Sequence, residues 1–143
     1  MSNQPGLMFM HLGAEYRLHV AAADEFQCAD NWLYALLAGS ADLTALVGDR
    51  VIQGMPPEDT PTPYVSFQYQ AAEEDDRSFT TEAARLIYLV QAVEQIEINA
   101  PYPAVTQAVT IIRNLLQGNG GDTADGTIIK CIRLRPWRLE EMG

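Results

Sequence analysis

The sequence contains little of the chemistry from which disulfide frameworks and metal sites are built. Only two cysteines, Cys28 and Cys131, and two histidines, His11 and His19, occur in 143 residues, and no C-x-x-C pair is present. These counts are too low for a disulfide scaffold or for a zinc site of thiolates and imidazoles. We therefore expect no metal or other cofactor, and we expect both cysteines to pack as small apolar residues.

Long apolar runs are also missing. The stretch from Leu86 to Val90 is typical of the longest ones, and it is far shorter than the roughly 20 residues that cross a bilayer. The first twelve residues lack the cationic start, long apolar segment and cleavage site of a secretory signal. We predict no membrane association and synthesis in the cytoplasm.

Positive charge is scarce. The chain has 9 lysines and arginines against 19 acidic residues, and its formal net charge is -10. Strong binding to duplex DNA needs cations that displace counterions from the phosphates, so this balance disfavours it. Four of the nine cations nevertheless fall close together near the C-terminus: Lys130, Arg133, Arg135 and Arg138. Separated charges of this kind suit contact between identical subunits.

Motifs of catalysis and of phosphate binding are absent as well. No serine lies in a Gly-x-Ser-x-Gly elbow. The glycine-rich segment 118–126 leaves a predicted helix, enters a predicted strand and is not followed by Gly-Lys-Ser or Gly-Lys-Thr, so we interpret it as a connecting loop. Asp122 and Asp125 lack the twelve-residue calcium pattern. We predict that the chain is not an enzyme and has no catalytic, cofactor-binding or metal-binding residues.

One acidic run stands out, namely Glu73, Glu74, Asp75 and Asp76. Adjacent carboxylates in a polar turn are normally solvated rather than divided into acid and base roles. Two electrostatic uses stay open. The run could pair with cations of a neighbouring subunit, or it could face a channel and repel DNA that passes through it.

Hydrophobic periodicity predicts the regular elements. Apolar residues at intervals of three and four from Phe26 to Leu37 indicate an amphipathic helix that ends at Gly39. Ser40 then caps a shorter helix that stops at Gly48. Strands follow at residues 51–52, 64–69 and 85–94, then a helix at 104–117 and a final strand at 127–134. We predict an α+β fold with a mainly antiparallel sheet of about four strands, helices packed on one face and the order α-α-β-β-β-α-β.

Residues 1–22 show no sustained period. We interpret them as an N-terminal extension, in which residues 16–20 could form a short strand, and we place a single domain at residues 23–143.

Three short segments carry a resemblance to a known family. Residues 33–38 read LYALLA, residues 41–51 read ADLTALVGDRV, and residues 62–68, after a proline-rich loop, read TPYVSFQ. In this order they resemble the tail-terminator and tail-completion proteins of long-tailed bacteriophages and prophages, over residues 26 to 118. Each segment also has a physical reading, because Gly48 ends the second helix and Pro63 imposes extended backbone before Tyr64.

The resemblance implies a structural subunit of the virion tail or neck. Such proteins form rings, commonly hexamers, that cap the tail tube and join it to the head connector, and they have no catalytic residues to carry over. The implied partners are other copies of the chain, the tail tube protein and the head-connector or head-closure protein, with genome DNA passing through the lumen without specific binding. We predict a subunit interface with Lys130, Arg133, Arg135, Trp137 and Arg138 on one side and Glu73, Glu74, Asp75 and Asp76 on the other.

Two other readings are compatible with the sequence. The chain could be a head-closure, neck or minor tail subunit of the same virion. It could also belong to a different class, a small α+β enzyme or ligand-binding domain with a site where the sheet meets the helix at 104–117. An enzyme should show a concave pocket with convergent polar groups, whereas a ring subunit should show paired patches.

Overall fold

The structure is a computed structural model that describes residues 6–73 and 84–142. Its elements are, in chain order, β1 Leu7–Ala22, α1 Glu25–Ala38, α2 Ala41–Val47, β2 Val51–Gln53, β3 Tyr64–Glu73, β4 Ala84–Glu97, α3 Pro103–Leu116, β5 Gly121–Thr123 and β6 Gly126–Met142. The strands form one sheet in the order β2-β3-β4-β1-β6-β5, which curves into a half-barrel.

The predicted fold is wrong in its strand number and element order. The sheet has six strands rather than about four, and it is mixed because β2 runs parallel to β3. The described chain starts with a strand, not with a helix, and the segment read as a flexible connection contains β5. The final strand continues to Met142, well beyond Leu134.

The largest difference concerns β1, which lies in the middle of the sheet. It pairs with β4 on one side and with β6 on the other, both antiparallel. Its even-numbered residues, such as Tyr16 and Leu18, are buried in the core with residues of the three helices, on what we call the helix-covered face. Its odd-numbered residues, such as Glu15 and Arg17, lie on the opposite face, which we call the open face. A polar open face weakens the hydrophobic pattern of this strand.

Capping residues fix the ends of the first two helices. Asp24 caps α1 by accepting a hydrogen bond from the Gln27 backbone N–H at 3.0 Å, and Ser40 caps α2 by accepting one from Leu43 at 3.2 Å. Gly48, with φ of 64°, ends α2. The caps predicted at Ser40 and Gly48 are therefore confirmed.

The third helix takes its cap from the sheet. Tyr102 provides no side-chain cap, and instead Oε1 of Glu94 on β4 accepts hydrogen bonds from the backbone N–H groups of Ala104 and Val105, at 3.1 and 3.2 Å. A carboxylate at this position satisfies two backbone donors and suits the positive end of the helix dipole. The contact fixes the start of α3 against β4.

The two cysteines are buried and unpaired, which confirms that they pack as small apolar residues. Burial raises the pKa of the Cys131 thiol to about 12, so this thiol is unreactive at neutral pH. Among the helices of the described residues, none has the length and apolar character needed to span a membrane.

Candidate interaction surfaces

One side of the sheet ends in the three-residue strand β5, so β6 beside it is covered on its outer side only along its first part. β5 pairs with Gly126–Ile128. The turn after α3 covers the next stretch, because Gln117 accepts a hydrogen bond from the Arg133 backbone N–H and Gly118 donates one to the Cys131 carbonyl. Among residues 6–73 and 84–142, no element bonds to the outer backbone of Trp137–Met142. We call this segment the β6 edge.

The predicted cations all lie on β6, but two β-bulges divide them between the faces. The strand register is interrupted opposite Glu15/Tyr16 and opposite His19/Val20, and each bulge resets the alternation of side chains. Lys130 lies opposite His19 and Arg135 opposite Glu15, on the open face. Arg133 lies opposite Tyr16 and Arg138 opposite Leu12, on the helix-covered face.

Two of the predicted basic interface residues have an acidic partner within their own subunit. Arg135 donates to Glu15, and Arg138 donates to Glu140 at 2.7 Å and lies over the Tyr102 ring at 5.7 Å. Both guanidinium side chains stay accessible, at 77% and 55% exposure. Exposed pairs of this kind contribute little to stability, so both arginines can also contact a partner.

On the acidic side of the prediction, Glu73 ends β3 and accepts a hydrogen bond from Arg17. Glu74, Asp75 and Asp76 lie outside the described residues.

Trp137 is held in place from across the sheet. Its indole N–H donates to Gln91 Oε1 at 3.0 Å, and Gln91 Nε2 donates to Ser66 Oγ at 3.4 Å. Gly13 lies between Trp137 and Gln91 in the strand register. The hydrogen bonds from Trp137 to Gln91 and from Gln91 to Ser66 therefore cross above Gly13, which has no side chain to obstruct them. They hold in place an indole that is 38% exposed at the β6 edge.

The opposite side of the sheet is also incomplete. β2 pairs only with Val65–Phe67, and the Gly54 backbone N–H donates to the Phe67 carbonyl. No described strand pairs with the outer side of residues 68–73, which we call the β3 edge. Tyr69 in this segment is 43% exposed, and its ring meets the ring of Phe26 edge to face at 5.1 Å.

An acidic groove adjoins this aromatic pair. Asp24, Phe26, Gln27, Asp30, Asn31 and Gln53 line it. The Asp30 carboxylate accepts hydrogen bonds from the Tyr88 hydroxyl at 2.7 Å and from Gln53 Nε2 at 2.8 Å. Burial, together with the bond to Asp30, raises the pKa of Tyr88. The sequence did not indicate this surface, because Phe26 counted toward the apolar stripe of α1, whereas in the structure it is 46% exposed.

A row of charged side chains crosses the open face at the end where β3 stops. The strand registers place Glu73, Arg85, His19 and Lys130 side by side on β3, β4, β1 and β6. Burial, then the cations of Arg85, Lys130 and Arg17, lower the pKa of His19, while Glu73 opposes this effect. Nε2 of His19 is buried and has no hydrogen-bond partner within the described chain.

This environment predicts a pH dependence. A folded-state pKa below the unfolded value favours the neutral imidazole in the folded chain, so the associated stability is present above about pH 6.5 and is lost as the pH falls through the folded pKa. His19→Gln should therefore flatten the fall of unfolding free energy between about pH 7.5 and pH 5.5. Urea titrations of both proteins at these pH values measure it. An equal fall in both would show that His19 contributes nothing.

The rival reading of an enzyme predicted a pocket beside α3. Two surface grooves of the described chain lie elsewhere: one is the acidic groove above, and the other is lined by Tyr34, Ala38, Thr44, Gly48 and Asp49. No group of three or more His, Cys, Asp or Glu side chains is arranged to hold a metal ion in the part of the chain that the structure describes.

Comparison with known proteins gives one match. A family model described as Tail completion protein gp17 matches residues 32–139, a span that runs from α1 into the last residues of β6. No curated protein and no solved structure matches the chain.

Proposed function

We propose that this chain, which belongs to the tail completion protein gp17 family, forms a ring of about six copies that caps the tail tube. Membership makes the chain a structural protein of a phage tail. The resemblance found in residues 33–68 is confirmed at the level of the family. Ring formation, the cap and the junction to the head connector are the finer proposal.

The observation that carries the proposal is the family match over residues 32–139. The two incomplete sides of the sheet add support. A closed ring of identical subunits needs a head-to-tail interface whose two patches differ, and the β6 and β3 edges are different surfaces at opposite sides of one sheet.

The proposed contacts between subunits are those between the basic and acidic residues predicted from the sequence. Lys130, Arg133, Arg135 and Arg138, with Trp137, would form one patch, and Glu73 to Asp76 would provide acidic groups for the other. The tail tube protein and the head connector would bind the two rims of the ring. DNA would pass through the lumen without specific contacts, because a net charge of -10 does not favour adhesion to phosphates.

The proposed function is tested with phage that do not produce this chain. In phage that lack it, we expect tail tubes of uneven length and heads without attached tails, because nothing caps the tube or joins it to the head. Electron microscopy of the lysate measures both, and expression of the chain from a plasmid should restore normal particles. Tubes of normal length that fail to join heads would instead indicate a neck or head-closure subunit.

Native mass spectrometry provides the direct test of the ring. The purified chain is measured alone and with tail tubes of the same phage. A closed oligomer in either sample is expected, and a monomer in both would overturn the ring.

A further inference from the structure

We infer that the β6 edge of one subunit pairs antiparallel with the β3 edge of the next, so that a single sheet continues from copy to copy. The inference rests on the proposed ring and names the surfaces that build it. Strand addition at an open edge satisfies backbone donors and acceptors that otherwise bind only water.

The free segments match in length. Arg133 and Cys131 are already bonded to the turn after α3, and Pro136 has no N–H to donate. The outer backbone that stays available on β6 is therefore Trp137–Met142. On β3 the available backbone is residues 68–73, since Phe67 is bonded to Gly54. Each segment has six residues, or about 20 Å of strand.

The strand directions also agree. β3 is antiparallel to β4, β4 to β1, and β1 to β6, so β3 and β6 run in opposite directions within one subunit. Copies related by rotation around a ring present their sheets in the same sense. The β6 edge of one copy therefore meets the β3 edge of the next in antiparallel orientation.

Overlap of Trp137–Leu139 with residues 71–73 keeps both faces of the sheet continuous up to the β-bulge of β3 at Tyr69/Ala71. Leu139 would then lie opposite Ala71, and both belong to the open face, because they pair with His11 and Ile87 in their own subunit. Arg138 would lie opposite Ala72, on the helix-covered face. A slip by one residue would put every side chain on the wrong face.

The side chains in this register are complementary. The β6 edge exposes Trp137, Leu139 and Met142, at 38%, 42% and 66%, and the β3 edge exposes Tyr69. Antiparallel pairing places Glu73 opposite Trp137 and diagonal to Arg135, all on the open face, at the end of β3 from which the sequence continues with three more acidic residues. This agrees with the charge pairing expected from the sequence, and it identifies a second copy of the chain as the occupant.

Cysteine cross-linking tests the pairing. One sample carries Leu139→Cys, a second carries Ala71→Cys, and the two are mixed under mild oxidation. We expect a disulfide-linked dimer that contains one of each and that makes up most of the mixture, since directly opposed strand positions meet disulfide geometry. Each variant alone should give none, because Cys28 and Cys131 are buried. Leu139→Cys mixed with Gln95→Cys, an exposed position on an inner strand, is the matched control.

The outcomes separate the inference from the proposed function. If wild-type chain forms a ring by native mass spectrometry but the mixture gives no cross-link, the pairing is wrong and the ring stands. A cross-link from Leu139→Cys to a cysteine-bearing tail tube subunit instead of to Ala71→Cys would assign the edge to that partner and overturn the pairing. A wild-type chain that is monomeric alone and with tail tubes would overturn both.

A charge reversal provides a second measurement that does not depend on cysteine geometry. Arg135→Glu should weaken ring formation at least about tenfold, since it places like charges on the open face across the joint. Arg113→Glu makes the same change on the exposed side of α3 and should leave the ring intact. Equal behaviour of the two variants would contradict the pairing.

Discussion

A chain shortened to residues 23–143 is expected to lose cooperative folding. The deletion removes β1, which pairs with β4 along one side and with β6 along the other. It also removes buried side chains that include Met10, Tyr16 and Leu18. Each large side chain contributes about 1.5 to 3 kcal/mol when it is buried, whereas whole domains are stable by only about 5 to 15 kcal/mol. Circular dichroism during heating, and urea titration, should show no sigmoidal transition.

A complementation experiment tests whether the absence of β1 itself causes the loss of cooperative folding. A synthetic peptide of residues 1–22 added to the shortened chain should restore a cooperative transition, because it can occupy the gap between β4 and β6. A peptide with the same composition in scrambled order should not. If the shortened chain unfolds cooperatively without the peptide, residues 1–22 are an extension outside the folding domain, as the sequence suggested.

α1 and α2 were predictable because their apolar stripes are bounded by residues with specific capping chemistry, Asp24, Ser40 and Gly48. β1 was not, because it alternates apolar residues with charged ones and contains a glycine. One face of β1 carries polar residues, including His11, Glu15 and Arg17. The sequence of such a strand resembles that of a loop unless the alternation of period two is followed over the whole strand.

The second half of β6 was missed for a related reason. Pro136 and the surrounding charges are unfavourable in a central strand, and they are tolerated here because this part of β6 lies at an edge. The bulges opposite Glu15/Tyr16 and His19/Val20 also break the alternation. A single sequence does not show where a bulge falls, so the division of the cations between the two faces could not be predicted.

Only part of the candidate interaction site could be predicted from the sequence. Clustering of the four C-terminal cations is visible in the sequence, and it pointed to the strand that forms one edge of the sheet. The opposite edge depends on long-range pairing: Phe26 of α1 meets Tyr69 of β3 only because the sheet brings them together. Contacts of this kind follow from topology, and the predicted topology lacked two strands.

The substitution with the second largest expected effect is Gly13→Ala. A Cβ atom at this position would lie 2.1 Å from the Val90 carbonyl oxygen and 2.6 Å from the Gln91 Cα. Both are backbone atoms of the neighbouring strand, so relief requires β1 and β4 to separate in the middle of the sheet. Overpacking costs about 1 to 3 kcal/mol where side chains can yield, and we expect a loss of about 3 kcal/mol here because none can. Urea titration measures it directly.

The matched control for Gly13→Ala is Gly54→Ala. No atom lies within 4 Å of a Cβ at Gly54, but its φ is +83°, so this variant carries only the cost of a left-handed backbone, about 1 to 2 kcal/mol. Gly13→Ala should also move Trp137, since the indole reaches Gln91 across this position, and its fluorescence should shift to longer wavelength before unfolding. If both variants lose the same stability and the fluorescence is unchanged, β1 and β4 are not held together as closely as the register requires.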